Sequence, residues 1–568
     1  MRLLDVKVVL DREKDTQGTG LQAKIFSELD GGSEEYAVLS HRWGKEEVTY
    51  DEMTRLMEVV EPAREEVKQR AGYQKIVKSC EWAMNDGYRW MWIDTCCIDK
   101  QKILELSVAI RSMYRWYSKS QKCYVYLNDV EDSNFPTEQD FSRFGKTNGW
   151  PEWFSRGWTL QELIAPKQVK FFNKGWACIG DKESLADTLE NITRIPVDVL
   201  KDGLQSRRRC VAQIMSWAAD RKTERLEDRA YSLLGLFEVD IPLSYGEGEK
   251  AFWKLQLEII KMRNDHSIFA WNPKGQFHQC GSVLADDPSY FRDCHNIEKV
   301  EPGEFVDELT KYIRQNRLAI ARWPHLRPRS RSGALRELPN ILLVPDGIRI
   351  YLPVIPHRDS ASVFRAILAC RDYYGNLITI DFKSSGVSSY RIPATRRIRK
   401  SRPPELRIHY LAWSAPYSGE ECHHFKLHDT LTSYHGFTRR GTFPHMIADN
   451  AVTLSSLIND FIVVVYASHD SRHLFAVGLA HYLGTPSVHV VCDESSANQE
   501  VPWTEFAKKV YDTLWSAPVE DFFISGVKCA HLPRTIWDSK VVWYSGNVQT
   551  HVMVDVEQCS GCCVGPRE

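Results

Sequence analysis

Tyr88-Arg89-Trp90-Met91-Trp92-Ile93-Asp94 decides how the first half of this chain is read. A mostly apolar and aromatic run ends on a single carboxylate, the length and texture of a strand buried on both faces. Before it, Tyr73, Ile76, Val77, Cys80, Ala83 and Met84 recur at spacings of three and four, the stripe of an amphipathic helix that Asn85-Asp86-Gly87 ends. Further upstream, Tyr36-Ala37-Val38-Leu39-Ser40 predicts another buried strand, followed by His41-Arg42-Trp43-Gly44 and a charged helical segment over about 49 to 70. Downstream, Ile103, Leu106, Ile110, Met113 and Tyr117 mark a second amphipathic helix, and Cys123-Tyr124-Val125-Tyr126-Leu127 a third strand. Strands alternating with such helices predict a doubly wound parallel-sheet α/β domain with right-handed crossovers. Residues 1–32 read as a polar N-terminal segment, with Asp15-Thr16-Gln17-Gly18-Thr19-Gly20 as a loop.

In sheets of this kind ligands bind beyond the carboxyl ends of the strands. Polar groups stand at three of those ends: Ser40-His41-Arg42, Asp94-Thr95-Cys96-Cys97 and Asn128-Asp129. A fourth contribution comes from Trp153-Phe154-Ser155-Arg156-Gly157-Trp158-Thr159-Leu160-Gln161-Glu162-Leu163-Ile164-Ala165-Pro166. Gly157 breaks the approach, Trp158 to Ala165 reads as two short helical turns, and Pro166 stops them. Glu162 lies four residues after Trp158, so a carboxylate sits on one helical face with an indole, where it can be desolvated. By itself that pair reads as a surface Glu on a helix whose Trp packs inward. The convergence of Ser40, Arg42, Asp94 and Glu162 on one crevice raises Glu162 above that reading.

Bulk properties exclude several classes. The 568 residues carry a net charge of -2 and a pI near 6.8, so no global field argues for nucleic acid or an anionic membrane. Apolar content of 43% and charged content of 26% are those of a globular protein of about two to four domains. The 15 cysteines are odd in number and scattered, and the first residues do not form a secretory signal, so reduced thiols and a cytoplasmic address are expected. The longest apolar run, Phe461-Ile462-Val463-Val464-Val465-Tyr466-Ala467, has strand length, so no membrane span is expected. Eighteen tryptophans point to aromatic packing or stacking surfaces without choosing between them.

Past Phe172 the pattern is helical as far as Ala251-Phe252-Trp253-Lys254-Leu255-Gln256-Leu257-Glu258-Ile259-Ile260. Within it the segment from Glu227 to Phe237 predicts a helix up to Gly235, and Tyr245-Gly246-Glu247-Gly248 a tight turn. The latter lacks the Lys and Ser/Thr of a phosphate loop. From about 273 short alternating runs such as Gly347-Ile348-Arg349-Ile350-Tyr351-Leu352 predict a mostly β domain over 273–568. The basic patches Arg327-Pro328-Arg329-Ser330-Arg331 and Arg396-Arg397-Ile398-Arg399-Lys400 read as solvated loops.

Five blocks taken together carry a resemblance: Ala37-Val38-Leu39-Ser40-His41-Arg42-Trp43-Gly44, Trp92-Ile93-Asp94-Thr95-Cys96-Cys97-Ile98-Asp99-Lys100, Arg156-Gly157-Trp158-Thr159-Leu160-Gln161-Glu162-Leu163, the segment from Glu227 to Gly235, and Tyr245-Gly246-Glu247-Gly248. Over 33–271 the chain resembles the fungal heterokaryon-incompatibility (HET) domain family, involved in non-self recognition and programmed cell death. Arg221-Lys222-Thr223-Glu224 departs from it, standing where the family usually has two consecutive Thr. The HET domain is similar to the Toll/interleukin-1-receptor (TIR) fold, a flavodoxin-like sheet, and several TIR members cleave NAD. Their pattern is a strand ending in Ser and a later Trp-x-Leu-x-Glu-Leu helix whose Glu is catalytic. Leu39-Ser40-His41-Arg42 and Trp158-Thr159-Leu160-Gln161-Glu162-Leu163 match both.

The resemblance implies an NAD glycohydrolase, with NAD as substrate rather than cofactor and self-association on activation. Glu162 would be catalytic, holding the ribose hydroxyls or the developing cation. Trp43 or Trp158 would stack on a ring, Arg42 would meet phosphate, Ser40 would hydrogen-bond the ligand, and His41 and Asp94 would be further polar contacts. One rival is a non-catalytic self-associating adaptor in which Glu162 merely packs, which needs only an exposed apolar patch. Another is a cysteine hydrolase using Cys97 or Cys96 with His41 as base and Asp94 as orienter. Against it, both cysteines read better as small core residues. No metal site is expected. Cys422, His423, His424 and His428 do not have the spacing of a known finger, and Cys559, Cys562 and Cys563 read as metal ligands, a lipidation site or a tail.

Overall fold

The computed structural model describes residues 1–14, 24–29, 34–56, 63–204, 209–273, 282–315, 341–344, 347–357, 360, 362–385, 388–392, 405–412, 422–444, 450–455, 461–470, 472–482, 485–494, 501–516, 526–533, 535–545 and 549–559. The loop expected at 15–20 and the two basic patches lie outside them. The chain opens with β1 (Arg2–Asp5), α1 (Val6–Lys14) and β2 (Phe26–Glu28), where the sequence reads as a polar segment. The apolar residues buried in β1 and α1 are Leu3, Leu4, Val6 and Val9, a set too short to stand out as a strand and a helix.

The parallel strands follow: β3 (Tyr36–His41), β4 (Trp90–Trp92), β5 (Lys122–Tyr126) and β6 (Val169–Phe172), with β7 (Cys178–Asp181) after them. They hydrogen-bond in the order β2-β1-β4-β3-β5-β6-β7. β3 pairs parallel with both β4 and β5, and β5 with β6, while β1, β2 and β7 run antiparallel at the edges. The parallel quartet thus has the order second-first-third-fourth. Mixed α/β architecture with a parallel-stranded N-terminal sheet is as the alternating pattern predicts.

Helices cover both faces. Between β3 and β4 come α2 (Tyr50–Arg55), α3 (Ala63–Lys68) and α4 (Ala71–Asn85); then α5 (Ile103–Lys119), α6 (Phe141–Phe144) and α7 (Thr159–Ile164). α4 buries Tyr73, Ile76, Val77, Cys80 and Ala83 of the predicted stripe, while its last member, Met84, is exposed. Each large apolar side chain buried there stabilises by roughly 1.5–3 kcal/mol. Asp86 caps the helix end, accepts from Lys122 Nζ (3.0 Å) and Tyr124 Oη (2.8 Å), and so pins α4 to β5. Adjacent residues of β6 show the two layers. Phe172 meets Trp82 of α4, whereas Phe171 meets Trp153 and Phe154 on the side of α7. α5 lies on that second side, where Tyr117 donates to Leu39 O at 3.2 Å.

The helical extension comprises α8 (Ala186–Thr193), α9 (Val197–Asp202), α10 (Val211–Ala218), α11 (Asp228–Tyr231), α12 (Leu234–Phe237) and α13 (Lys250–Met262). α12 packs on α5 so closely that a Cβ on Gly235 would stand 2.1 Å from Tyr114 Cβ.

Beyond it the chain is strand-rich, as expected. β8 (Glu298–Lys299), α14 (Pro302–Gln315), β9 (Leu342–Val344), β10 (Gly347–Pro356), β11 (Val363–Arg371), β12 (Leu377–Ser385), β13 (Ser388–Ile392) and β14 (Glu405–Ala412) give a sheet ordered β8-β11-β12-β13-β14-β10-β9. Its inner residues share one apolar core with the α/β part. Arg391 fastens the two, donating to Phe269 O (2.9 Å) and Trp271 O (2.6 Å). The remaining strands are β15 (Cys422–His428), β16 (Phe437–Phe443), β17 (Ala451–Ser455), β18 (Phe461–Ser468), β19 (Leu474–Tyr482), β20 (Thr485–Cys492), β21 (Gly526–His531), β22 (Trp537–Ser545) and β23 (Thr550–Gln558). They form a five-stranded and a four-stranded sheet with a common core. On β18, Ile462, Val464 and Tyr466 face that core while Phe461, Val463 and Val465 face α15 (Trp503–Ser516), hence its unbroken apolar run.

Candidate functional site

The site is built around α7, a helix too short to persist on its own. All six of its residues are buried, so packing holds it. Thr159 Oγ1 donates to Trp153 O at 2.6 Å, tying the first turn to the segment before it. Gly157 N donates to Lys222 O (2.8 Å) and Lys222 N to Ser155 O (2.6 Å), which lays the approach to α7 along residues 221–223. A Cβ on Gly157 would stand 2.5 Å from Thr223 Cγ2, so glycine is required by space. At the other end the buried Lys182 ammonium donates to Leu163 O (3.2 Å) and to Pro166 O. A cation on the last carbonyls stabilises a helix end.

This framing turns Glu162 into the interior. The residue is 5% exposed. Ser40 Oγ donates to Glu162 Oε2 at 2.5 Å, and Trp153 Nε1 donates to Ser40 Oγ at 2.9 Å, a relay from indole to hydroxyl to carboxyl. Tyr117 hydrogen-bonds the same carboxyl. Burial first, and the charge of Asp94 second, push the Glu162 carboxyl up to about 8. The Ser40 and Tyr117 hydrogen bonds and the charge of Arg221 work against that rise. At neutral pH the unliganded carboxyl is therefore mostly protonated.

Glu162 forms part of the wall of a cavity of about 270 Å³. Ile98, Leu106, Ile110 and Met113 make one apolar side, three of them from α5. Trp43, Trp158 and Tyr245 provide rings, Asp94, Glu224 and Asp228 further carboxylates, and Lys100, Arg156 and Arg225 cations. Trp43 Nε1 donates to Asp94 Oδ2 at 2.8 Å, and the Lys100 ammonium lies 3.4 Å from the Trp43 ring centroid. Asp228 accepts from Tyr245 Oη at 2.9 Å and from Trp158, and burial raises its pKa against these hydrogen bonds.

Of the residues singled out from sequence, Glu162, His41, Trp43, Asp94 and Trp158 line this cavity. Ser40 stands behind Glu162, fully buried, and reaches the cavity through that carboxyl. Arg42 is not among the lining residues; it pairs with Glu152 at 2.8 Å. The His41 ring is 3.5 Å from Glu47, whose carboxyl also takes the Lys75 ammonium. Burial of Glu47 opposes its ionisation, but the hydrogen bond and charge of His41 and the charge of Lys75 hold it at about 2. His41 is thus engaged away from any thiol. Cys96 and Cys97 belong to the apolar core, and the Cys96 thiol is pushed well up by its hydrogen bond with Cys97 and by burial.

Asp228 and Tyr245 escaped sequence reading because each sits in a stretch that reads as ordinary structure. Their signal was the pairing of two motifs. Glu227 accepts from Gly246 N (2.7 Å) and Gly248 N (2.9 Å), holding a turn whose glycines have φ of +100° and +59°. Tyr231 Oη donates to Glu247 at 3.1 Å and accepts from Ser244 N at 2.8 Å. One motif is the socket of the other, and Tyr245 is thereby delivered to the cavity.

Among the candidate metal ligands, His424 hydrogen-bonds Thr453 (3.0 Å) and His428 stacks on His551, while Cys562 and Cys563 lie outside the described residues. Cys559 approaches His531 and Asp538, the three ligand atoms lying within 4.8 Å of one another, and His531 already hydrogen-bonds Asp538 at 2.7 Å.

Residues 36–148 match the family model for the heterokaryon incompatibility protein (HET) family. The vegetative incompatibility protein HET-E-1 of Podospora anserina is 44% identical over 232 residues, which cover 40% of this chain and 16% of that protein. The chain therefore matches only a small part of that relative's length. A lectin structure from Xerocomus chrysenteron aligns with 24% of this chain and 100% of its own at 10% identity, with a TM-score of 0.17, too low to carry a structural argument.

Proposed function

We infer, from the premise that this chain carries a heterokaryon-incompatibility domain, that it acts in fungal vegetative incompatibility, and that it does so by cleaving the nicotinamide–ribose bond of NAD. The observation that carries the chemical part is the Glu162 carboxyl, buried in the wall of an aromatic-rimmed cavity. The second-first-third-fourth order of the parallel strands, which is that of flavodoxin-like sheets, supports a TIR-like reading of the fold. Ligands of such sheets lie at the switch point, here between β3 and β5, where Ser40 holds Glu162.

In this reading the C1′–N bond breaks with its electron pair passing to the pyridinium nitrogen, so nicotinamide leaves neutral without a general acid. Glu162, ionised, faces the oxocarbenium-like centre or the ribose hydroxyls, as a carboxylate does in glycoside hydrolysis. Water adds to C1′ and releases a proton, giving ADP-ribose. Trp158 or Trp43 stacks on the ring, and Arg156, Arg225 and Lys100 offer charge to the pyrophosphate. The cavity falls just below the range of about 300–1,000 Å³ typical of ligand pockets, enough for nicotinamide and its ribose, with the rest of the dinucleotide at the mouth. We place the activity in the cytoplasm; among the described residues no helix is long and apolar enough to cross a membrane.

The adaptor reading has an observation of its own. Ile103 and Leu104 are 81% and 83% exposed at the start of α5, with Val108 one turn on. The other face of that helix lines the cavity through Leu106, Ile110 and Met113, so association and access to Glu162 share one element. Glu162→Gln separates the readings. It should lower nicotinamide release from NAD by at least about a hundredfold, roughly 2.7 kcal/mol of barrier, and should abolish toxicity on overexpression. A wild-type protein that releases no nicotinamide even when clustered, or a Gln variant that stays fully toxic, would leave the adaptor.

A further inference from the structure

A second cavity, of about 170 Å³, has Arg221 in its wall. Four cationic side chains line it, Lys146, Arg194, Arg221 and Lys222, against one carboxylate, Asp220. Asp220 is already engaged, by Arg292 at 2.7 Å and Arg194 at 3.9 Å. Lys146 and Lys222 are exposed and make no ion pair among the described residues. Two buried donors of the lining are unanswered. Trp217 is 2% exposed and its indole N–H has no partner among the described residues; Arg221 is 4% exposed and its Nη2 has none among them either. Unpaired donors at such depth are uncommon and call for an acceptor. The positive balance says the acceptor is an anion.

We propose that this cavity binds a small dianion of the phosphate class and that Arg221 couples the bound charge to Glu162. Arg221 is built to do so. Nη1 donates to Thr159 Oγ1 and to Arg156 O, both at 2.9 Å, so the guanidinium is fixed to the first turn of α7, three residues before Glu162. Its charge acts on the Glu162 carboxyl and favours the ionised form. An anion in this cavity draws on the same positive charge and so disfavours ionisation of Glu162. By reciprocity, ionised Glu162 weakens the anion. The phosphate-class ligand is thus a brake on the carboxylate. The coupling rests on Glu162 as the working carboxylate of the proposed reaction; the binding does not.

The test is calorimetric titration of the full chain with sulfate, whose charge is constant across the pH range used, and in parallel with inorganic phosphate and with AMP, at fixed ionic strength against chloride. Sulfate should bind wild type and lose at least about tenfold in affinity in Lys146→Glu/Lys222→Glu, two exposed positions that leave the fold intact. AMP tighter than phosphate assigns the anion to a nucleotide; equal or weaker affinity assigns a free ion. No heat beyond that of chloride, or equal affinity in the double variant, overturns the site. For the coupling, sulfate at pH 9 should bind Glu162→Gln about threefold or more tighter than wild type, and at pH 6 equally. Parallel pH dependences overturn the coupling, whatever the outcome with NAD.

Discussion

Replacing Glu162 by Gln changes shape little and removes one titration, so its effect on stability is set by where the carboxyl ionises. In the folded chain that is about 8, because of burial and Asp94; in the unfolded chain it is an ordinary carboxyl, near 4.5. The folded value is raised, so the contribution to stability is complete below about 4.5 and is lost as pH rises through about 8. Between pH 6 and pH 9 the linkage integral for these two values comes to roughly 3 kcal/mol. Wild type should therefore lose roughly 3 kcal/mol more than Glu162→Gln over that interval, since neighbouring titrations are common to both. Denaturant midpoints at pH 6 and pH 9, with the slope checked for constancy, read the difference directly. Gln retains an oxygen for the Ser40 hydroxyl, so the variant should fold, and above pH 8 it should be the more stable of the two. If the two proteins decline in parallel, Glu162 titrates as an exposed carboxyl and the buried relay through Ser40 and Trp153 is wrong.

Ser40→Ala removes the hydroxyl that donates to Glu162 and accepts from Trp153. It should cost about 1–3 kcal/mol, by leaving buried polar groups unpaired, and shift the Glu162 titration further upward. A pH profile of stability unchanged from wild type would contradict the relay. The dependence of kcat/KM for NAD cleavage on pH should rise about tenfold per unit and level near 8, because it reports the free protein, while kcat stays flatter. A flat kcat/KM removes Glu162 as the ionising group. Gly235→Ala places a Cβ 2.1 Å from Tyr114 Cβ, so α5 and α12 must separate. About 1–3 kcal/mol or more should be lost in thermal unfolding, and a neutral result would mean that contact is not tight.

The α/β architecture was legible because its strands are buried on both faces and its helices on one. Tyr36–His41 and Trp90–Trp92 appear as apolar runs, and α4 as a stripe that the structure buries from Tyr73 to Ala83, leaving only Met84 of the expected set exposed. β1 and α1 were not legible, since a four-residue strand and a helix with few buried positions carry too little apolar signal. Glu162 was found by its spacing from Trp158 and by the resemblance. Its neighbours Asp228 and Tyr245 were missed because they meet it only through a socket closed by Glu227, Gly246 and Gly248. Ser40 and Arg42 were expected at the ligand alike. Strand alternation sends Ser40 to the α7 face and His41 to the Glu47 side, and Arg42 leaves the strand for Glu152. Alternation was present in the sequence; which face carried α7 was not.

The protonation of Glu162 bears on what the cavity is for. A carboxyl held neutral by its surroundings is a poor partner for a neutral ligand and a good one for a cation, which supplies the countercharge that the fold withholds. Inside such a cavity, where water is scarce, two opposite charges interact several-fold more strongly than in bulk. A pyridinium ring approaching Trp158 would draw the proton off Glu162 as it binds. The carboxylate would then exist mainly while the cation is present. When nicotinamide leaves neutral, the positive charge has moved to the sugar, and the same carboxylate stays ionised beside it. Ligand charge and carboxyl state thus rise and fall together, and the surroundings of Glu162 that raise its pKa are what tie them. Asp94 raises it with its own charge from a position fixed by Trp43, and Arg221 lowers it. The opposition of those two charges, one on the ligand side and one on the side of the second cavity, sets how strongly the site depends on the cation.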